Sequence, residues 1–251
     1  MPSFPPGPGS PGQRPDITCE HGPGCHSGAE PAVGTAPADA RGWLLIEHNG
    51  PWPPQALDAE LPGALGKLAV RAAELGLRVQ LIRRPGRRSG PAGTLFAGWA
   101  AGPAPWLRRL DGPSGELLDQ LPGLAGGTEP SVGEPVADPV YLVCTHAKRD
   151  ACCARLGTPL ARALSAAHPA QVWETSHLGG HRYAANLLIL PHGLYYGQVD
   201  EPAAAAAIGA YQRGEIVPGH FRGRAGQSGE EQQDRYQRMV AAAQFGLAGL
   251  G

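Results

Sequence analysis

One order of elements occurs twice along this chain, and it restricts the folds available more than any single residue does. The run Trp43–Glu47 is short, apolar and bounded by the Gly50–Pro54 break, so it reads as a buried strand. Leu57, Leu61, Leu65, Leu68, Ala69, Ala72 and Leu75 follow at spacings of three and four, the period of a helix. Pro62 makes the first turn separate or irregular, and Gly76 stands where a helix stops. Strands are predicted at 79–83, 94–100 and 106–110, with a short helix near 115–121. After residues 122–138, rich in Gly, Pro and acids without a period, the order returns. Tyr141–Val143 is a strand, a helix runs through Leu156, Leu160, Ala163, Leu164 and Ala167, and strands follow at Val172–Trp173, Leu187–Leu190 and Leu194–Val199. Gly157 and Pro159 disturb the first turn of that helix, and Ala203–Tyr211 is a further helix.

In each half the strands joined by a helix should be parallel, whereas Pro191-His192-Gly193 is short enough to make its flanking strands an antiparallel hairpin. The expectation is therefore an α/β protein of two thioredoxin-like domains in tandem, each a mixed four-stranded sheet with flanking helices. Its segments are a disordered leader over 1–36, an N-terminal thioredoxin-like domain over 37–121, a linker over 122–138, a second thioredoxin-like domain over 139–217, and an extension over 218–251. The leader is assigned from its Pro, Gly and Ser content. The extension contains an amphipathic helix from Gly229 that packs on a domain or on a partner chain.

Charge excludes some partners. A net charge of −1 supplies no field to gather nucleic acid or an anionic membrane. No apolar run reaches the roughly 20 residues of a membrane helix, and MPSFPPGPGS has neither the basic nor the apolar region of a secretory signal. The expected location is the cytoplasm, where cysteines serve metals or catalysis more often than structural disulfides.

Four residues carry the chemistry. Cys144 and Cys153 lie in YLVCTHAKRDACCARLG, and His177 and His181 lie in WETSHLGGHRYAANLLILP. Two thiolates and two imidazoles make a complete set for one Zn²⁺ ion or one [2Fe-2S] cluster. The Gly179-Gly180 pair lets the backbone take positive φ, so that both rings can face one centre. Cys152 complicates the choice of second thiolate and holds a back-up role. Cys19, His21, Cys25 and His26 sit on the leader with nothing around them to fix a geometry. Cys144-Thr145-His146 has the first spacing of a Rieske box, but Arg155 and Leu156 stand where its partner histidine would be, so His146 reads as a hydrogen-bonding neighbour of the ligands. Arg149, Asp150, Arg182 and Asn186 are placed to tune a centre through hydrogen bonds. The basic loop with Arg83, Arg84, Arg87 and Arg88 is a candidate docking surface for an acidic redox partner.

CTHAKRDACC, HLGGHRYAANLLILP and GLYYGQV resemble the sucrase/ferredoxin-like family of thioredoxin-like two-iron ferredoxins. GTAPADARGWLLIEHNGPW and HFRGRAG resemble its bacterial members outside the cluster region, so the likeness runs from Gly34 to about Ala225. The family's Cys-x8-Cys and His-x3-His motifs fall on Cys144, Cys153, His177 and His181. Cys152 and Ala154 depart from it without removing a ligand. The resemblance implies an electron-transfer protein carrying one [2Fe-2S] cluster. The same ligands around Zn²⁺, serving structure, remain an alternative. So does a thiol oxidoreductase using Cys152 or Cys153, although a Cys-x-x-Cys motif is lacking. No paired carboxylates for glycoside chemistry stand out.

Overall fold

The structure, a computed structural model, describes residues 32–112, 115–242 and 245–250. Its strands are β1 (Gly42–Glu47), β2 (Arg78–Arg83), β3 (Thr94–Trp99), β4 (Trp106–Asp111), β5 (Glu134–Pro135), β6 (Val140–Cys144), β7 (Val172–Thr175), β8 (Leu187–Leu190), β9 (Leu194–Tyr196) and β10 (Phe221–Arg224). Its helices are α1 (Ala64–Glu74), α2 (Gly115–Ala125), α3 (Ala151–Ala167), α4 (Glu201–Gln212) and α5 (Gly229–Ala241).

These strands form one mixed sheet of ten, in the order β10-β9-β8-β6-β7-β2-β1-β3-β4-β5. The expected pairings within each half are present. β1 is parallel to β2 and β6 to β7, while β8 and β9 are antiparallel neighbours. The expectation of two tandem thioredoxin-like domains with separate four-stranded sheets is corrected. β2 and β7 pair antiparallel, Ile82 opposite Thr175 and Arg83 opposite Glu174, and fuse the two sheets. The physical reason lies in their edges. Each crossover strand would otherwise expose a row of unpaired N–H and C=O groups on an apolar strand, and each satisfies the other.

Side chains reinforce the seam. Glu174 is fully buried and takes Arg83 at 2.9 Å and Arg88 at 3.0 Å, with the Gly86 amide and Thr145 hydroxyl also donating to it. Arg84 stacks on Trp173 at 3.6 Å and donates to the carbonyls of Pro169, Ala170 and Val172. One apolar cluster runs across the seam, containing Trp43, Ile82, Phe96 and Leu107 from the first half and Leu142, Trp173, Leu188 and Tyr195 from the second.

The N-terminal leader falls mostly outside the described residues, as do Cys19 and Cys25. Its last part is packed. The Gly34 amide donates to Arg222 O, and Ala36 exchanges two hydrogen bonds with the side chain of Gln232. The C-terminal extension also joins the sheet. β10 pairs with β9, and α5, opened by a Ser228/Glu231 capping box, puts Met239 into the core under α3 and α4. No helix among the described residues is long and apolar enough to cross a membrane.

Candidate metal centre

Cys144 ends β6, and His177 follows β7, its parallel neighbour, by two residues. The third donor comes from a helix. The sequence put a helix through Leu156 with its first turn disturbed by Gly157 and Pro159, which left Cys153 ahead of it. Instead α3 starts at Ala151, because the Asp150 side chain accepts from the Cys152 amide at 2.9 Å and caps it. Cys153 therefore sits in the first helical turn. Gly157, one turn further on, is the contact that sets the helix height, since a Cβ there would stand 2.0 Å from the Cys144 carbonyl oxygen. The glycine lets α3 rest on the end of β6 and brings the two sulfurs to one place.

The Sγ atoms of Cys144 and Cys153 and a ring nitrogen of His177 all lie within 4.8 Å of one another, a group that could hold a metal ion. His177 Nδ1 is 4.0 Å from Cys144 Sγ and 3.7 Å from Cys153 Sγ. Both thiols are free and buried. Cys144 is held well below the usual thiol range, chiefly by the hydrogen bond from Cys153 and also by His177, against its burial. The same Cys144 hydrogen bond, with burial, pushes Cys153 up. The two shifts have one origin, the hydrogen bond between the sulfurs, so the pair releases its first proton more easily than its second.

His181 stands beside this trio. Its ring centroid is 6.1 Å from that of His177, with the planes 32° apart, and its Nε2 is 3.8 Å from Asp150 Oδ2. Gly179 and Gly180, at φ 90° and 71°, make the turn between the two histidines. Any side chain at Gly180 would meet Arg222, whose Nη2 lies 2.5 Å from the position of such a Cβ.

His146 is not a metal donor in this arrangement. Its Nδ1 accepts from the His177 amide at 3.1 Å, so Nε2 carries the proton and donates to Pro53 O at 2.8 Å. It fixes the His177 backbone instead. Burial lowers its pKa. Asn186 is buried and donates from Nδ2 to Gly180 O at 3.0 Å. Arg149 is exposed, and Arg182 is exposed over the Tyr183 ring. Cys152 is disulfide-bonded, so it offers no free thiol. Residue-by-residue reading missed Arg222, Glu174 and the role of Gly157. Arg222 lay inside HFRGRAG, and the only signal there was an arginine between Phe221 and Gly223 in a short apolar-alternating run.

The sucrase/ferredoxin-like family model matches residues 33–223. Altered inheritance of mitochondria protein 32 from Eremothecium gossypii is 28% identical over 120 residues, which is 42% of this chain and 38% of that protein, so the chain spans well under half of this relative's length. No solved structure matches the chain. With the match covering β1 to β9 and the residues Cys144, Cys153, His177 and His181, the chain belongs to the sucrase/ferredoxin-like family.

Proposed function

We propose that this protein is a one-electron carrier whose [2Fe-2S] cluster is held by Cys144, Cys153, His177 and His181. The observation that carries the reading is the convergence of two buried thiols and His177 from three separate elements, with His181 beside them on a glycine turn. Soft sulfur donors with imidazoles suit this cluster. Bound there, the cluster would supply reversible one-electron transfer. The chain's own residues do the rest. Gly157 seats Cys153 against Cys144, His146 orients the His177 backbone, and Asp150 lies within reach of the His181 ring.

Two thiolates offset the +2 of the oxidised two-iron core, leaving a neutral site that accepts an electron more easily than a four-thiolate site of charge −2. The reading requires Cys144 and Cys153 to stay reduced, as both are here, because cysteine binds metal as the thiolate. The matching docking mode is an acidic redox partner meeting Arg87 and Arg88, whose side chains are 41% and 44% exposed. Anaerobic purification followed by iron, sulfide and visible-absorption analysis is the test. Stoichiometric iron and sulfide with bands at 300–600 nm are expected, and a colourless protein refutes the cluster.

One observation favours a second reading. Zn–S and Zn–N bonds of about 2.3 and 2.0 Å set a tetrahedral S···N edge of about 3.5 Å, close to the 3.7 and 4.0 Å seen at His177. A single Zn²⁺ on Cys144, Cys153 and His177, with water in the fourth position, would fit that spacing. The variant His181→Ala separates the two, since it costs the cluster a ligand but leaves those three donors intact.

A further inference from the structure

Arg222 is the cation that the site's own ligands do not explain. Its side chain enters from β10 and is 1% exposed. Nη1 donates to Gly179 O at 3.1 Å and to Asn186 Oδ1 at 2.7 Å. Nη2 donates to Thr35 O at 2.6 Å, and Nε donates to Thr35 Oγ1 at 3.0 Å. The guanidinium thus grips the turn between His177 and His181 twice, directly through Gly179 and indirectly through Asn186, which in turn holds Gly180 O. All four acceptors are neutral. Among the described residues no carboxylate pairs with this arginine, and the rings of Tyr183 and Tyr195 flank it at 5.0 and 5.5 Å. Tyr195 keeps its hydroxyl buried with no hydrogen-bond partner.

An unpaired buried charge is expensive, and proteins retain one where an anion compensates it. Burial lowers the Arg222 pKa to about 10, so the group stays charged at neutral pH.

We propose that Arg222 has two roles at this centre: it clamps the His177–His181 turn, and its charge favours the reduced state. The second role rests on the cluster reading above. The oxidised site of two thiolates, two neutral imidazoles and a +2 core carries no net charge. Gain of one electron from an electrode or reductant makes it −1, with no bond broken. A fixed cation held against the ligand turn stabilises that product over the starting state, because the local dielectric is low.

The test uses the full chain, reconstituted with iron and sulfide, and reads midpoint potential by voltammetry alongside the electron paramagnetic resonance spectrum of the reduced state. Arg222→Gln removes the charge and keeps a polar group. Arg222→Lys keeps the charge and loses the fork. The expected result is a lower potential for R222Q, a potential near the parent's for R222K, and weaker cluster retention in both. A parent-like potential in R222Q, or an equal fall in R222K, overturns the charge role. Full retention in both overturns the clamp.

Should R222Q fail to fold, Asn186→Asp places an anion against the same Nη1 with almost no change of shape. A lowered potential then supports the electrostatic coupling, and an unchanged one overturns it. Failure of the cluster reading itself is told apart by the parent, which would then hold no iron or sulfide at all.

Discussion

Gly157→Ala tests how the centre is assembled. By helix propensity alone the change should help, because alanine in a helix interior is worth about 1 kcal/mol over glycine. The structure reverses the sign. The added methyl would stand 2.0 Å from the Cys144 carbonyl oxygen and 3.0 Å from its carbonyl carbon, both backbone atoms that no rotamer change can move aside. Restoring van der Waals contact needs a displacement of about 1.2 Å. Either α3 lifts from the end of β6 or β6 bends away from β8. Overpacking of this kind costs typically 1–3 kcal/mol, and with backbone on both sides the upper part of that range applies, so a net loss of about 2 kcal/mol is expected after the propensity gain. The same displacement acts on sulfur-to-ring distances of only 3.7 and 4.0 Å, so metal retention should fall with stability. Gly209→Ala in α4 is the control. There a Cβ would meet only the Arg213 side chain, at 3.6 Å, and the propensity gain should appear unopposed. Urea unfolding and metal content of the two purified variants make the comparison. A G157A protein as stable as G209A, with parental metal content, would show that α3 is not seated on Cys144 by that glycine.

Three further outcomes follow from other contacts. Glu174→Gln should cost about 3–5 kcal/mol in urea unfolding, because it strips a buried Arg83 of its counter-ion at the seam between β2 and β7; a loss below 1 kcal/mol would contradict that role. His192 has its pKa lowered to about 4 by burial and by Arg224, with its Nδ1 2.5 Å from the Tyr211 hydroxyl. The unfolded chain binds that proton from about pH 6.5 downward and the folded chain only near 4, so its stabilising effect is complete above 6.5 and is lost as pH falls through that window. Since the ring is partly exposed, the loss is about 1–2 kcal/mol, and His192→Gln should flatten the urea midpoint between pH 7 and 4.5 relative to the parent. In the cluster-loaded protein the reduction potential should fall as pH rises, because reduction makes the ligating histidines more basic; a flat potential from pH 6 to 10 would argue against histidine ligation.

The elements were legible because their signals are local. The three-four spacing from Leu65 to Leu75 and the apolar runs of β1, β6 and β8 each report a period that a window of ten residues contains. Parallel and antiparallel pairing followed from connection length. What could not be read was the meeting of β2 with β7, since two edges that find each other 91 positions apart leave no mark in either segment. Arg83 shows the difficulty well. In sequence it belongs to a basic loop of four arginines and looks solvated, whereas in the fold it is a buried partner of Glu174, and Arg84 beside it stacks on Trp173. Capping was decisive at α3. Gly157 and Pro159 mark a disturbed turn in the sequence, but the helix starts earlier, at a cap formed by the single side chain of Asp150.

That fused seam also explains why the first half matters to a centre whose proposed ligands all lie in the second. Ser176, immediately before His177, exchanges hydrogen bonds with β2: the Leu81 amide donates to its hydroxyl at 3.0 Å, its own amide donates to Leu81 O, and its hydroxyl donates to Gln80 at 2.7 Å. Gln80 Nε2 donates to His177 O at 3.3 Å. From the other side, Pro53 holds the His146 ring that receives the His177 amide, and Thr35 holds the arginine that grips Gly179. The residue that completes the cysteine pair is therefore fixed front and back by a region that supplies no donor of its own. A second half cut free at residue 139 would keep Cys144, Cys153 and His177 in its sequence while losing most of the contacts that aim the histidine at the sulfurs.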